Sequence, residues 1–192
     1  VYKRQVPPFD GEIAGHISRI SDSTITLAKS GWDILPETVA DDYTSRIGEL
    51  TDQTERNLSI VYTPMHGVGG KTMLEVLNNA GFETVAPVEE QFAPDPTFPT
   101  VSFPNPEEPG ALDLAFALAQ ERDADLIIAN DPDADRAAFA VYDPAVSAWR
   151  QLRGDEIGSL LGVAMIQRLG DISALSPAPV FANSIVSSRQ LS

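Results

Sequence analysis

Asp131, Asp133 and Asp135 alternate within five residues, and Arg136 follows at once. Three carboxylates so close together repel one another unless something positive sits among them. The simplest occupant is a hard divalent cation, which takes oxygen ligands. Pro132 stiffens the segment by fixing its own φ, so less entropy is lost when the ligands converge. Arg136 adds a permanent positive charge suited to a phosphate or a carboxylate. Asp is also common in solvated turns that bind nothing. Here, however, the triplet is held between two apolar runs, Leu126–Ala129 and Ala137–Val141, each of strand length and too short for a helix. A calcium EF-hand loop would need Gly where Arg136 stands and Glu where Tyr142 stands, and it would need flanking helices. That reading fails.

A second loop invites comparison with phosphate sites. Leu58–Thr63 reads as a buried strand, followed by Pro64-Met65-His66-Gly67-Val68-Gly69-Gly70-Lys71-Thr72 and a helix over Lys71–Ala80 closed by Gly81. Strand, glycine loop and helix can offer backbone N–H groups to a phosphate. A P-loop requires Gly at position 65, where Met65 stands, and a dinucleotide fingerprint requires Gly at 72, where Thr72 stands. Both fail by one residue, which favours a close-packing role for the glycines.

The remaining elements position these two loops. Asp10 is the expected N-cap of a helix over Gly11–Ile20, with Ile13, Ile17 and Ile20 on one face and His16 beside them as a surface residue. Thr24–Ala28 is a short strand candidate, and Glu37–Leu50 reads as a helix carrying Val39, Tyr43 and Ile47 on one side. After a strand at Phe82–Pro87 comes a long proline-punctuated loop, then a helix over Gly110–Arg122 and the strand before the aspartates. Short apolar strands alternating with helices imply a parallel sheet with right-handed crossovers. The strand after the aspartate loop returns too soon for a crossover and is expected antiparallel. Loops at the C-terminal ends of parallel strands share one edge, so the glycine and aspartate loops should face one cleft. Ala148–Leu152 precedes a long helix from Gly154 through Leu169, and Pro179–Asn183 reads as a strand entering a new unit.

The net charge of -15 and pI near 4.3 weigh against nucleic acid or an anionic membrane as partner. A metal with a few basic residues can still reverse the sign locally for a phosphorylated ligand. No segment has the length of a membrane span, and the cysteine count of zero excludes disulfides and thiolate metal sites. No targeting segment is visible, so the cytoplasm is the expected compartment. Val1 in place of an initiator Met marks an expected excerpt of a longer protein. Val1–Gln5 and Arg189–Ser192 resemble translated adaptor sequence and are assigned no function.

Four segments together resemble the α-D-phosphohexomutases (phosphoglucomutase/phosphomannomutase). They are Thr63-Pro64-Met65-His66-Gly67-Val68-Gly69, Pro104-Asn105-Pro106-Glu107, Asp131-Pro132-Asp133-Ala134-Asp135-Arg136 and Arg153-Gly154-Asp155-Glu156-Ile157-Gly158, in that family's order. The resemblance runs from about Pro7 to Ser188. It implies an α/β fold with a mixed, mostly parallel sheet flanked by helices, plus the beginning of a second similar domain. Residues 1–50 would end a first domain and form an interdomain helix, 51–150 would be the domain with the metal loop, and 151–192 would start a third.

The implied reaction interconverts hexose 1-phosphate and hexose 6-phosphate through an active-site phosphoserine and a bisphosphosugar intermediate. By the same resemblance, Asp131, Asp133 and Asp135 are the Mg²⁺ ligands and Arg136 belongs to the phosphoryl or phosphosugar neighbourhood. The family's nucleophilic serine loop is not matched here; Ser184, Ser187 and Ser188 read as structural, so this piece alone is expected to be silent. Two other classes compete: a standalone, non-catalytic metal- or phosphosugar-binding module, and an Mg²⁺-dependent phosphatase with an aspartate nucleophile.

Overall fold

The structure, a computed structural model, describes residues 7–20, 25–50, 55–171, 174–184 and 187. The terminal segments with adaptor-like sequence, Thr24 and Ser188 lie outside the described residues. Contact density divides the chain into two compact units, the first ending at Val39 and the second beginning at Ala40. Among the described residues no helix is long and apolar enough to cross a membrane.

In the first unit, α1 spans Phe9–Arg19. Pro8, rather than Asp10, stands at its N-cap, and no side chain caps it. A proline suits this place because it lacks the N–H that a helix start leaves unpaired. Asp10 instead lies in the first turn, where its charge complements the helix dipole. Ile13, Ile17 and Ile20 are exposed. The expected strand through Ile25–Ala28 is absent. Extended backbone becomes a strand only by pairing, and nothing among the described residues pairs with this segment.

The second unit is built on a five-stranded sheet in the order β2-β1-β3-β4-β5. Its strands are β1 (Ser59–Thr63), β2 (Thr84–Pro87), β3 (Leu126–Asn130), β4 (Ala137–Asp143) and β5 (Ala148–Gln151). β1 pairs in parallel with β2 and β3, β4 is antiparallel to β3, and β5 is antiparallel to β4. Four strands therefore share one direction and only β4 opposes them. The sheet is mixed and mostly parallel, as the order of elements implied. β5 carries no strand assignment in the sequence reading, since Ala148-Trp149-Arg150-Gln151 lacks a continuous apolar run.

Helices cover both faces. Period-two alternation sends Ile60, Tyr62 and Ile128 toward Met73, Leu74 and Leu77 of α3 (Gly70–Asn79). It sends Val61 and Ile127 toward Ala115 and Ala119 of α5 (Asp113–Arg122). Fully burying each such aliphatic side chain is worth about 1.5–3 kcal/mol. β1 and β3 are buried on both faces, which is why they read as unbroken apolar runs. The other helices are α2 (Thr38–Gly48), the short α4 (Glu89–Phe92) within the proline-rich loop, and α6 (Gly154–Leu169). On α2, Val39 and Tyr43 lie exposed, and Thr44 is the buried residue, hydrogen-bonded to Glu75 at 3.1 Å. α3 ends where Gly81 takes φ +89°. Its N–H donates to the Asn78 carbonyl and that of Phe82 to the Leu77 carbonyl, so two terminal carbonyls are satisfied.

α6 opens with a reciprocal cap in which the Arg153 N–H donates to Glu156 Oε2 at 2.8 Å. Arg150 of β5 grips the same carboxylate at 3.0 and 2.9 Å, tying sheet edge to helix start. Pro179–Asn183 is irregular rather than a strand. Like Ile25–Ala28, it has no pairing partner among the described residues.

Candidate metal centre

β3 delivers its last residue, Asn130, at the C-terminal edge of the sheet, and the chain turns at once through the aspartates. The turn closes by a bond from the Ala134 N–H to the Asp131 carbonyl at 2.9 Å, with Ala134 left-handed at φ 55°. β4 then returns antiparallel with Asn130 opposite Ala137. Asn130 is buried and ties the neck of the loop, donating through Nδ2 to the Arg136 carbonyl at 2.8 Å. Its Oδ1 accepts from the Tyr62 hydroxyl at 3.1 Å. Burial pushes the Tyr62 phenol well up, so it stays a neutral donor.

One carboxylate atom from each of Asp131, Asp133 and Asp135 lies within 4.8 Å of the others. The three differ in setting. Asp131 is 1% exposed, whereas Asp133 and Asp135 face solvent. Asp131 Oδ1 accepts the Arg136 backbone N–H at 2.9 Å, and Oδ2 accepts the guanidinium through Nε and NH2, both at 2.8 Å. Burial alone would push the Asp131 carboxyl up. The Arg136 hydrogen bonds and charge outweigh that and hold it below the usual carboxylate range. Reciprocally, the bond to Asp131 and then its charge push the Arg136 guanidinium further up. Asp135 lies 3.5 Å from Arg136 Nε.

This donor set fits a hard cation. It is all carboxylate oxygen, it carries three negative charges against one arginine, and two of the three groups are open to solvent. Arg136 NH1 also reaches Asn105 Oδ1 at 3.4 Å, so the Pro-Asn-Pro-Glu loop lies against the same arginine. Glu107 of that loop shares a groove of about 400 Å³ with Gln151, Leu152, Arg153 and Gly154 at the start of α6.

The glycine loop, at the end of neighbouring β1, packs directly on the aspartate loop. A Cβ on Gly67 would sit 2.4 Å from the Pro132 Cα and carbonyl oxygen, closer than any side chain tolerates. The Val68 N–H donates to that carbonyl at 2.9 Å. A Cβ on Gly69 would meet Ala134 Cβ at 3.0 Å. The close-packing role expected of these glycines is what the structure shows. Asn130 and Tyr62 are not singled out by the sequence, and Asn105 is marked only as part of the Pro-Asn-Pro-Glu segment. The two asparagines carry no charge, and the tyrosine sits inside an apolar strand; only the immediate adjacency of Asn130 to Asp131 marks it.

Residues 41–143 match the family model described as phosphoglucomutase/phosphomannomutase, alpha/beta/alpha domain II. A Haemophilus influenzae protein named "Probable phosphomannomutase" is 44% identical over 159 residues, covering 82% of this chain and 33% of that protein. The phosphoribomutase of Saccharomyces cerevisiae is 49% identical over 116 residues, 56% of this chain and 18% of the yeast protein. The crystal structure of a phosphoglucomutase/phosphomannomutase family protein from Burkholderia thailandensis superposes with TM-score 0.60 at 24% identity, covering 83% of this chain and 32% of that one. That likeness establishes the fold. The chain thus spans a third or less of the length of these relatives. With more than half of its residues matched, it belongs to the phosphoglucomutase/phosphomannomutase family through its alpha/beta/alpha domain II.

Proposed function

We propose that this chain is the metal-holding part of a phosphohexomutase that interconverts hexose 1-phosphate and hexose 6-phosphate, glucose or mannose being the sugar. The observation that carries the reading is the convergence of Asp131, Asp133 and Asp135 within 4.8 Å beside an anchored Arg136, in a chain of this family. In this reading the three aspartates hold Mg²⁺. When bound, the cation neutralises charge that spreads over the transferring phosphoryl oxygens.

The chain's own residues have distinct tasks. Asp131 anchors the guanidinium of Arg136 through Nε and NH2, and that guanidinium keeps further N–H donors for a phosphate oxygen. Asn105 steadies the NH1 side of the same group. Residues 51–150 form the metal domain, 1–50 lead into it, and 151–192 begin the domain that follows. The serine nucleophile would be supplied from outside this chain, which alone would not turn over substrate.

A second reading replaces the hexose by a pentose. The 49% identity to a yeast phosphoribomutase favours it, and the ring that is accepted would be chosen outside the metal loop. The test is an assay of the complete enzyme with glucose, mannose and ribose 1-phosphates, before and after chelation and with Mg²⁺ restored. Conversion of a hexose phosphate that chelation stops and Mg²⁺ restores is expected. Conversion of ribose phosphate alone would select the second reading, and turnover indifferent to chelation would sink the metal assignment.

A further inference from the structure

Met65 and His66 hold consecutive left-handed conformations, φ 47° and 60°. Residues with a Cβ enter that region at a steric cost, and they stay there only where the surroundings dictate it. What dictates it here is a polar network that is buried at Thr63, His66 and Gln91 and reaches the surface at Thr100. The His66 N–H donates to the Gln91 carbonyl at 2.7 Å, and the Asp95 N–H donates to the His66 carbonyl at 3.0 Å. The Met65 N–H donates to Thr63 Oγ1 at 3.0 Å, and the Thr63 hydroxyl donates to Gln91 Oε1 at 2.6 Å. Gln91 Nε2 then donates to Thr100 Oγ1 at 2.9 Å, and that oxygen also shares a hydrogen bond of 2.8 Å with His66 Nε2. Gln91 and His66 are only 1% and 4% exposed, and among the described residues no buried side-chain N or O lacks a partner. A polar network completed in this way fixes one arrangement, whereas a broken one is costly.

The turn so fixed leads without slack into the metal loop. Gly67 and Val68 are the next residues, and they meet the backbone of Pro132, which stands between Asp131 and Asp133. The strain therefore sits one residue from the point where the two loops touch.

We propose that His66 and Thr100 are positioning residues for the aspartate loop: their hydrogen bond locks the left-handed turn, and the turn sets where Pro132 lies. Neither residue has a contact with the aspartates among the bonds described. They act through Gly67 and Val68. The proposal rests on the metal reading above, although its effect on the loop backbone can be read without any metal.

The test uses Thr100→Val, which keeps the side-chain shape and removes the hydroxyl, and Thr100→Ser, which restores it. Mn²⁺ affinity is titrated by electron paramagnetic resonance. Amide exchange is followed at Val68 and Ala134, against Ile127 in the core of β3. Thr100→Val should weaken Mn²⁺ binding about tenfold and speed exchange at Val68 and Ala134 about tenfold beyond any change at Ile127, the scale of one lost hydrogen bond. Thr100→Ser should bring both close to the parent values. Leu118→Ala, a core change in the cluster packed on α5, should lower Tm and leave Mn²⁺ affinity in place. Should Thr100→Val fail to fold, Thr100→Ala, which also removes the hydroxyl, carries the same comparison.

A Thr100→Val variant that loses Tm while Mn²⁺ affinity and relative exchange stay at parent values would overturn the proposal. If the parent has no Mn²⁺ site that Asp133→Asn removes, the metal reading fails, and exchange at Val68 and Ala134 still decides whether the network positions the loop.

Discussion

β3 has an aspartate just outside each of its ends, and the two do opposite things. Asp125, before the strand, accepts the Ser59 N–H at 2.8 Å, while its own N–H donates to the Ser59 carbonyl at 2.8 Å. It continues the pairing of β1 with β3 by one step. Asp131, after the strand, is buried against an arginine beside two more carboxylates. A single carboxylate at a strand start is a register pin. A cluster of them at the C-terminal edge of parallel strands is a concentration of charge that a fold for stability alone would avoid.

The contrast can be broken experimentally, and the largest effect is expected at the C-terminal end of β3. Asp133→Asn in the complete enzyme should lower turnover by about 100-fold or more, the scale on which metal-centre residues act, with unchanged circular dichroism. Near-parental turnover would remove the distinction between the two ends. Next in size is Gly67→Ala. Its methyl group would be forced onto the Pro132 backbone, and overpacking of this kind costs about 3 kcal/mol, to be read from urea denaturation.

A third effect is acid sensitivity. The folded Asp131 carboxyl is held below its ordinary value, so its contribution to stability is present above about pH 4. It is lost as pH falls through the lowered folded value. Thermal melts between pH 6 and 2 should show Asp131→Asn lacking that part of the acid loss. The smallest effect belongs to the other end: Asp125→Asn should cost about 1 kcal/mol or less, with Mn²⁺ affinity untouched.

Much of this is legible from residue order. β1, β3 and their crossover helices announce themselves because strands buried on both faces are continuous apolar runs. The aspartate loop stands out because three like charges pinned between such runs repel one another unless something positive sits among them. What residue order hides depends on long-range pairing. β5 is a half-buried edge strand, recognisable only once β4 is in place to pair with it. The stretches Ile25–Ala28 and Pro179–Asn183 have strand-like composition but no ladder partner among the described residues. The helix start at Pro8 competes with a stronger capping signal at Asp10, and proline's missing donor prevails. The network joins Thr63 and His66 to Gln91 and Thr100, some thirty residues further along the chain, and that pairing is not written in residue order.

The three N–H groups on Asp131 also bear on ion choice. An ionised carboxylate offers about four acceptor positions, and Arg136 fills three of them through its backbone N–H, Nε and NH2. A cation at this loop would then meet Asp131 through Oδ1, and a bidentate grip would have to compete with the arginine. Ca²⁺ seeks about six to eight oxygens and favours bidentate carboxylates, whereas Mg²⁺ is content with few protein ligands and its own water. Discrimination against calcium would thus be written into an arginine that need not touch the ion. Relaxing that arginine, as in Arg136→Met, should narrow the gap between Mn²⁺ and Ca²⁺ in a competition titration.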